Sequence, residues 1–284
     1  MTRFFTHFPG TPLIRAFLLL GGVFAGSLFA NINTAQAAPV ILFNSTTGQT
    51  PDDDPWDWLY RGDDGVFGAP GSVINTNLYG LVTLLDTADP NADRAGYSLG
   101  GAQQLPGGVV LDRNEGFALS FNLQLISEIH TSPDHAGFSL TVMTADNWGI
   151  ELGFWNDRIF AQNGNFTHGE EVLYNNSLNI ANYTLSVQGN SYCFFAPGMD
   201  SPLIGSLRQY SGSGFPDNPY GQNNLIFMGD NTNSGSAQVL ITQVGFTPVI
   251  NPIPEPGIFG FAGVALIGAA VVWRVRRRRR RRIY

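Results

Sequence analysis

Three groups of side chains have the types that chemistry requires. The first lies on an expected strand. In Gly149-Ile150-Glu151-Leu152-Gly153-Phe154-Trp155 the apolar residues alternate, which puts Glu151 and Gly153 on one face. Carboxylates at alternate positions would flank a bond as acid and nucleophile. Glycine holds the second place here, so Glu151 needs a partner from elsewhere, and Glu170 is the acid to recruit. The second group is His168-Gly169-Glu170-Glu171. Histidine beside carboxylates suits a metal site or an acid–base pair, but the spacing is not a zinc signature and no second histidine is near. We read this segment as a solvated loop, and read His130 and His135, which flank a Ser-Pro-Asp turn, in the same way. The third group is Asp52-Asp53-Asp54-Pro55-Trp56-Asp57, continuing to Asp63-Asp64-Gly65. Calcium takes oxygen ligands, and Asp52, Asp54 and Asp64 are the residues to supply them. The spacing is not that of an EF-hand, and an acidic surface loop is the alternative. Trp56, Trp58 and Tyr60 fall two apart, either as a stripe that stacks on sugar rings or as the edge of a core. No Walker-type phosphate loop occurs.

These groups ride on a chain that reads as nearly all β from residue 40 to about 248. Phe117, Leu119, Phe121, Leu123 and Leu125 alternate with Ala118, Ser120, Asn122 and Gln124, the pattern of a half-buried antiparallel strand. The runs 138–143, 150–155 and 183–188 alternate likewise. Asp146-Asn147, Asn156-Asp157 and Gly189-Asn190 separate them as hairpin turns. Further strands are expected at 40–43, 78–85, 95–99, 158–162, 224–229 and 237–246. Many short strands with glycine-rich turns predict an all-β, two-sheet antiparallel sandwich of jelly-roll type, one domain over 38–250. The single Cys193 has no cysteine to pair with, and in Tyr192-Cys193-Phe194-Phe195 it reads as buried filler.

Both ends are targeting segments. Arg3 and Arg15, an apolar run from Ala16 to Ala30 and Ala35-Gln36-Ala37 read as a secretory signal peptide over 1–37, forming a helix and cut after Ala37, with an uncleaved anchor helix as the alternative. At the other end, 251–284, Pro254-Glu255-Pro256 precedes an uncharged run, 257–273, long enough for about 26 Å of transmembrane helix. That approaches the ~30 Å hydrocarbon core. Arg274, Arg276, Arg277, Arg278, Arg279, Arg280, Arg281 and Arg282 then stop transfer and stay cytoplasmic. The chain has no lysine, and residues 38–250 hold five arginines against 21 acids, leaving the domain near -16. Such a surface repels nucleic acid and anionic lipid, so nucleic acid is not an expected partner.

The combination of Pro-Glu-Pro, apolar helix, arginine run and signal peptide resembles the PEP-CTERM sorting domain of bacterial exported proteins. The resemblance covers Pro252 to the end. It implies Sec-type export with signal peptidase, then processing near Pro254, Glu255 and Pro256 by an exosortase-type membrane protease, in a host that makes extracellular polysaccharide. The strand order, a long meander over 116–195 opening on Gly-Phe-Ala-Leu-Ser-Phe-Asn-Leu, and the turn Gly229-Asp230-Asn231-Thr232 look like a concanavalin A-like, laminin-G-like sandwich. The segment also resembles choice-anchor ectodomains. The glucanase branch of that fold carries Glu-x-Asp-x-x-Glu on a strand, a pattern from which Gly153 departs. Two functions follow as expectations. One is a non-catalytic cell-surface or matrix protein that binds exopolysaccharide, with no cofactor unless calcium. The other is a secreted polysaccharide-active glycoside hydrolase using Glu151 and Glu170.

Overall fold

The computed structural model describes residues 39–53, 55–63, 74–87, 94–210 and 218–248. Among them are the strands β1 (Val40–Asn44), β2 (Leu59–Asp63), β3 (Ile74–Leu78), β4 (Val82–Asp86) and β5 (Arg94–Gly100). There follow β6 (Phe117–His130), β7 (Ser139–Met143), β8 (Gly149–Phe154), β9 (Arg158–Gln162) and β10 (His168–Leu173). The last five are β11 (Ala181–Gln188), β12 (Ser191–Phe195), β13 (Leu203–Ser206), β14 (Leu225–Asp230) and β15 (Gly235–Pro248). One sheet has the order β13-β12-β11-β6-β15-β4-β3, with β1 also paired to β15. The other has the order β10-β9-β8-β7-β14-β5-β2. Every pairing is antiparallel, so the fold is an all-β two-sheet sandwich.

The alternation in the sequence sets the core. Phe117, Leu119, Phe121, Leu123 and Leu125 of β6 are all buried, and β15 lies along β6 with Val239, Ile241, Val244 and Phe246 inward. From the second sheet Leu140, Val142, Ile150, Leu152, Phe154, Ile226 and Met228 meet them. Each such side chain contributes about 1.5–3 kcal/mol by leaving water. Phe154 is the centre of an aromatic cluster, 5.6 Å from Tyr183 and 6.0 Å from Phe194, both edge-on. Buried Asn176 ties the sheets' connections together. Its amide donates to the Trp155 and Arg158 carbonyls at 2.6 and 3.0 Å and accepts from the Tyr183 hydroxyl at 3.0 Å.

The structure departs from the sequence reading in several places. The stretch 78–85 is a hairpin, not one strand, because Tyr79 and Gly80 turn back with φ of +58° and +68°. Such turns favour Asn-Gly, and a tyrosine there conceals the signal. The run 116–195 is not one meander: β6 belongs to the first sheet, β7 to β10 to the second, and β11 and β12 return to the first. His168 to Glu171 is not a solvated loop but the start of β10. Cys193 is only half-buried, on the outward side of β12 between inward Tyr192 and Phe194, and desolvation raises its thiol pKa. Strands β7, β8 and β14 are buried on both faces, so a further layer covers the outer side of the second sheet. The expected signal helix, the span and the sorting residues Pro254, Glu255, Pro256, Arg274 and Arg276 to Arg282 lie outside the described residues. No helix among the described residues is long and apolar enough to cross a membrane.

Candidate functional site

Glu151 lies on the outer face of the second sheet, yet it is only 3% exposed. Its cover is a short turn. Asn218 caps that turn by accepting from the Tyr220 N–H at 2.9 Å, and Pro219 presets the backbone. The turn places the Tyr220 hydroxyl against Glu151 Oε2, to which it donates. Asn231 Nδ2 donates to Glu151 Oε1 at 2.9 Å and to the Tyr220 oxygen at 2.6 Å. Burial pushes the Glu151 carboxyl pKa up, and these donors only partly offset it. Burial and the neighbouring carboxylate drive Tyr220 well above its ordinary value. The Thr141 hydroxyl lies beside Tyr220, is fully buried and makes no bond of proper geometry. Met143, Leu225 and Phe227 supply the apolar bed on which Tyr210 and Tyr220 rest.

A second tyrosine repairs the sheet. Gly153 pairs with Phe160, so two residues on, Glu151 faces Gln162; the pairing of β8 with β9 nevertheless stops at Leu152. The Tyr210 hydroxyl sits in the gap, accepting from the Glu151 N–H at 2.8 Å and donating to the Gln162 carbonyl at 3.0 Å. Arg208 secures this segment by exchanging two backbone bonds with Gly149, at 2.7 and 2.8 Å. The sequence reading missed both Tyr210 and Tyr220. They are far from Glu151 along the chain, and nothing in their local pattern announces the contact.

The acid pair does not assemble on one face. A register shift between His168 and Glu171 sets Gly169 and Glu170 opposite the inward Ala161. Glu170 therefore turns toward the first sheet, where Tyr192 donates to it at 2.8 Å and Arg208 pairs with it. Glu151 points the other way. His168 stacks on Phe160 at 4.0 Å and meets Glu171 Oε2 at 2.9 Å. Glu171 also binds Arg158; burial opposes ionisation, but Arg158 and His168 hold its carboxyl below the usual range. His130 lies flat on Trp155 at 4.1 Å with its Nδ1 on Glu128, and His135 Nδ1 meets Ser234 Oγ at 2.6 Å. Among the described residues no three of His, Cys, Asp and Glu are grouped to hold a metal ion.

Gly96-Tyr97-Ser98-Leu99-Gly100 has the spacing of a hydrolase elbow, Gly-x-Ser-x-Gly, which the sequence reading passed over. Ser98 sits in the middle of β5, paired on both sides and 3% exposed. A nucleophile elbow is a sharp strand-to-helix turn that exposes its serine, and β5 provides neither.

The acidic loop meets an open groove of about 490 Å³ that Asp52, Asp57 and Trp58 help to line. Trp58, Leu59, Leu99, Pro55 and Pro106 give it apolar surface; Asp52, Asp57, Gln103 and Gln104 give it polar groups. Asp52 accepts from Thr50 Oγ1 at 2.8 Å and from the Tyr97 hydroxyl at 3.2 Å. Asp54 and Asp64, the other two calcium candidates, lie outside the described residues. The aromatic stripe is broken. Asp57 adopts φ of +52°, so 56–58 is not extended. Trp58 is core, 2% exposed, with its indole N–H on the Leu42 carbonyl at 2.9 Å, and cannot serve as a stacking platform. Trp56 is half-buried, edge-on to Phe43 at 6.0 Å.

What these features define, among the described residues, is a two-sheet antiparallel sandwich with an open, mixed-polarity groove and a buried acid–tyrosine network. No family model and no curated protein matches the chain. Several solved structures are similar to it at low identity. Alginate lyase A1-II′, a member of polysaccharide lyase family 7, has a TM-score of 0.39 and 10% identity, over 62% of this chain and 84% of that one. A Bacillus subtilis protein of unknown function with a galectin-like fold has a TM-score of 0.44 and 9% identity, over 76% and 99%. The binding domain of botulinum neurotoxin DC, in complex with rat synaptotagmin II, has a TM-score of 0.41 and 10% identity, over 76% and 49%.

Proposed function

We propose that this chain is an exported, non-catalytic cell-surface or matrix protein whose jelly-roll, concanavalin A-like sandwich binds carbohydrate. The observation that carries the reading is the groove at Asp52. A sugar ring has apolar C–H faces and a rim of hydroxyls. Apolar residues on the groove wall suit the first, and carboxylate and amide side chains suit the second. In this reading the signal peptide and the PEP-CTERM tail deliver the domain outside the inner membrane, with the arginines inside, and an exosortase-type protease acts near Pro254 to Pro256. Calcium, if bound, uses Asp52. A glycan array with the purified chain, with and without calcium, tests the binding. The reading predicts a saturable signal that Asp52→Asn with Gln104→Ala weakens at least tenfold; no signal on any glycan refutes it.

A second reading is a glycoside hydrolase of the same fold. The divergence of Glu151 and Glu170 counts against the pair first chosen for it. The presence of both Asp52 and Asp57 at one groove is the observation in its favour. Release of reducing sugar by the chain, lost in Asp52→Asn, would establish it over the first.

A further inference from the structure

We infer that the outer face of the first sheet is a second, separate docking surface for an uncharged linear polysaccharide. This rests on the carbohydrate-binding reading above but places a site on a different side of the sandwich from the groove. The face is made by the outward positions of β13, β12, β11, the first half of β6 and the second half of β15, which stand side by side. None of those positions carries a charge. That is unusual in a domain near -16. The nearest cations stand at its rim and are already paired: Arg113 bonds Asn190 in the turn joining β11 and β12 and pairs with Asp146, and Arg208, just past the end of β13, pairs with Glu170.

The side chains present fall into cross-strand rows. Ser120 and Thr184 stand directly opposite each other, with Ser186 two residues further along β11. Asn182, Asn122 and Gln243 form a continuous row across three strands. Asn182 Nδ2 donates to Asn122 Oδ1 at 2.6 Å, and Asn122 Nδ2 donates to Gln243 Oε1 at 3.4 Å. The row is therefore held in place before any partner arrives, which lowers the ordering cost of binding. Hydroxyls and carboxamides each both donate and accept, as sugar hydroxyls do. At the margin Phe195 and Ile204 are 42% and 48% exposed and offer apolar surface for ring faces.

Charge and area select the occupant. An anionic polymer finds no cation on the face and is repelled by the rest of the domain. A cationic one finds no carboxylate there. Strands ~4.8 Å apart and ~3.3 Å per residue make the face roughly 500 Å². A stable protein–protein interface needs about 800 Å² from each partner, so a second copy is not held by this face alone. A neutral, hydroxyl-rich chain laid over the rows needs neither counter-charge nor that area.

The experiment is co-sedimentation of the purified full-length chain with insoluble neutral polysaccharides, amylose and cellulose, and with alginate as the anionic control. Ser120→Glu with Thr184→Glu puts charge on the face; Ser120→Ala with Thr184→Val removes hydroxyls without adding charge and guards against misfolding. Asp52→Asn with Gln104→Ala disables the groove. The expected result is retention on a neutral polymer, reduced at least tenfold by the charged pair, severalfold by the neutral pair, and little by the groove variant. Retention lost only with the groove variant overturns this inference and leaves carbohydrate binding standing. Retention on no polymer, with or without calcium, overturns both. A concentration-dependent dimer in sedimentation velocity that the charged pair dissolves makes the face a copy–copy interface and overturns the inference.

Discussion

Removing one oxygen atom tests the buried network. In Tyr210→Phe the ring stays on its apolar bed, and only the hydroxyl that bridges β8 and β9 is lost. Two backbone groups then have no partner: the Glu151 N–H and the Gln162 carbonyl, in residues that are each 3% exposed. An unsatisfied buried polar group costs about 1–3 kcal/mol, so the pair predicts a loss of about 2–6 kcal/mol. For a domain of this size 1 kcal/mol moves the melting temperature by about 2–4 °C, which makes the expected drop roughly 4–24 °C. Urea and thermal unfolding of the variant measure it. Tyr79→Phe is the control, since Tyr79 is 95% exposed and its hydroxyl is in water. The control should stay within about 0.5 kcal/mol of the parent. A Tyr210 variant as stable as the Tyr79 variant would refute the claim that this hydroxyl stands in for a ladder hydrogen bond.

Three further outcomes are expected. Burial raises the Glu151 pKa in the folded state above the ordinary glutamate value, so its stabilising contribution is fully present below that ordinary value and is lost as pH rises through the folded pKa. Glu151→Gln should therefore flatten the fall of stability as pH rises above the ordinary glutamate range, beyond a constant offset for one mismatched donor; an unchanged slope in pH-resolved urea melts contradicts this. Asn176→Ala takes this donor from the Trp155 carbonyl and this acceptor from the Tyr183 hydroxyl, while the Arg158 carbonyl keeps the Trp155 N–H, and should cost about 2–6 kcal/mol by the same measurement. In Gly137→Ala the new Cβ would stand 2.1 Å from the Ser236 carbonyl oxygen and 2.5 Å from its nitrogen, so the connection into β15 must shift; soluble yield should fall sharply, and a normal yield with a parental melting temperature rules the close approach out.

The sheets were legible wherever burial follows strand alternation. Strands β6, β7, β8 and β11 lie where their apolar residues repeat every second position, and the turns at Asn147 and Gly189 close hairpins as their residue types require. Legibility failed where the cause was not local. No pattern near Tyr79 reports a turn. The apolar alternation of β8 says nothing of a third layer, so Glu151 read as one side of a half-buried strand when Tyr210 and Tyr220 in fact close over it. The single register shift in β10 decides that Glu170 and Glu151 face apart, and no composition rule signals a bulge at Gly169-Glu170. Asp52 and Trp58 were singled out for ligand chemistry, and both line the groove, yet their parts differ from the expectation. Trp58 is core that forms part of the wall, because Asp57 in a left-handed conformation turns the indole inward, while the polar contribution from Gln103 and Gln104 comes from a loop that the sequence did not mark.

Isothermal titration of the purified chain with the exopolysaccharide of its own host tests carbohydrate binding most directly. The account predicts saturable heat that Asp52→Asn with Gln104→Ala reduces. No heat at any concentration, with calcium present and with calcium removed, would contradict it.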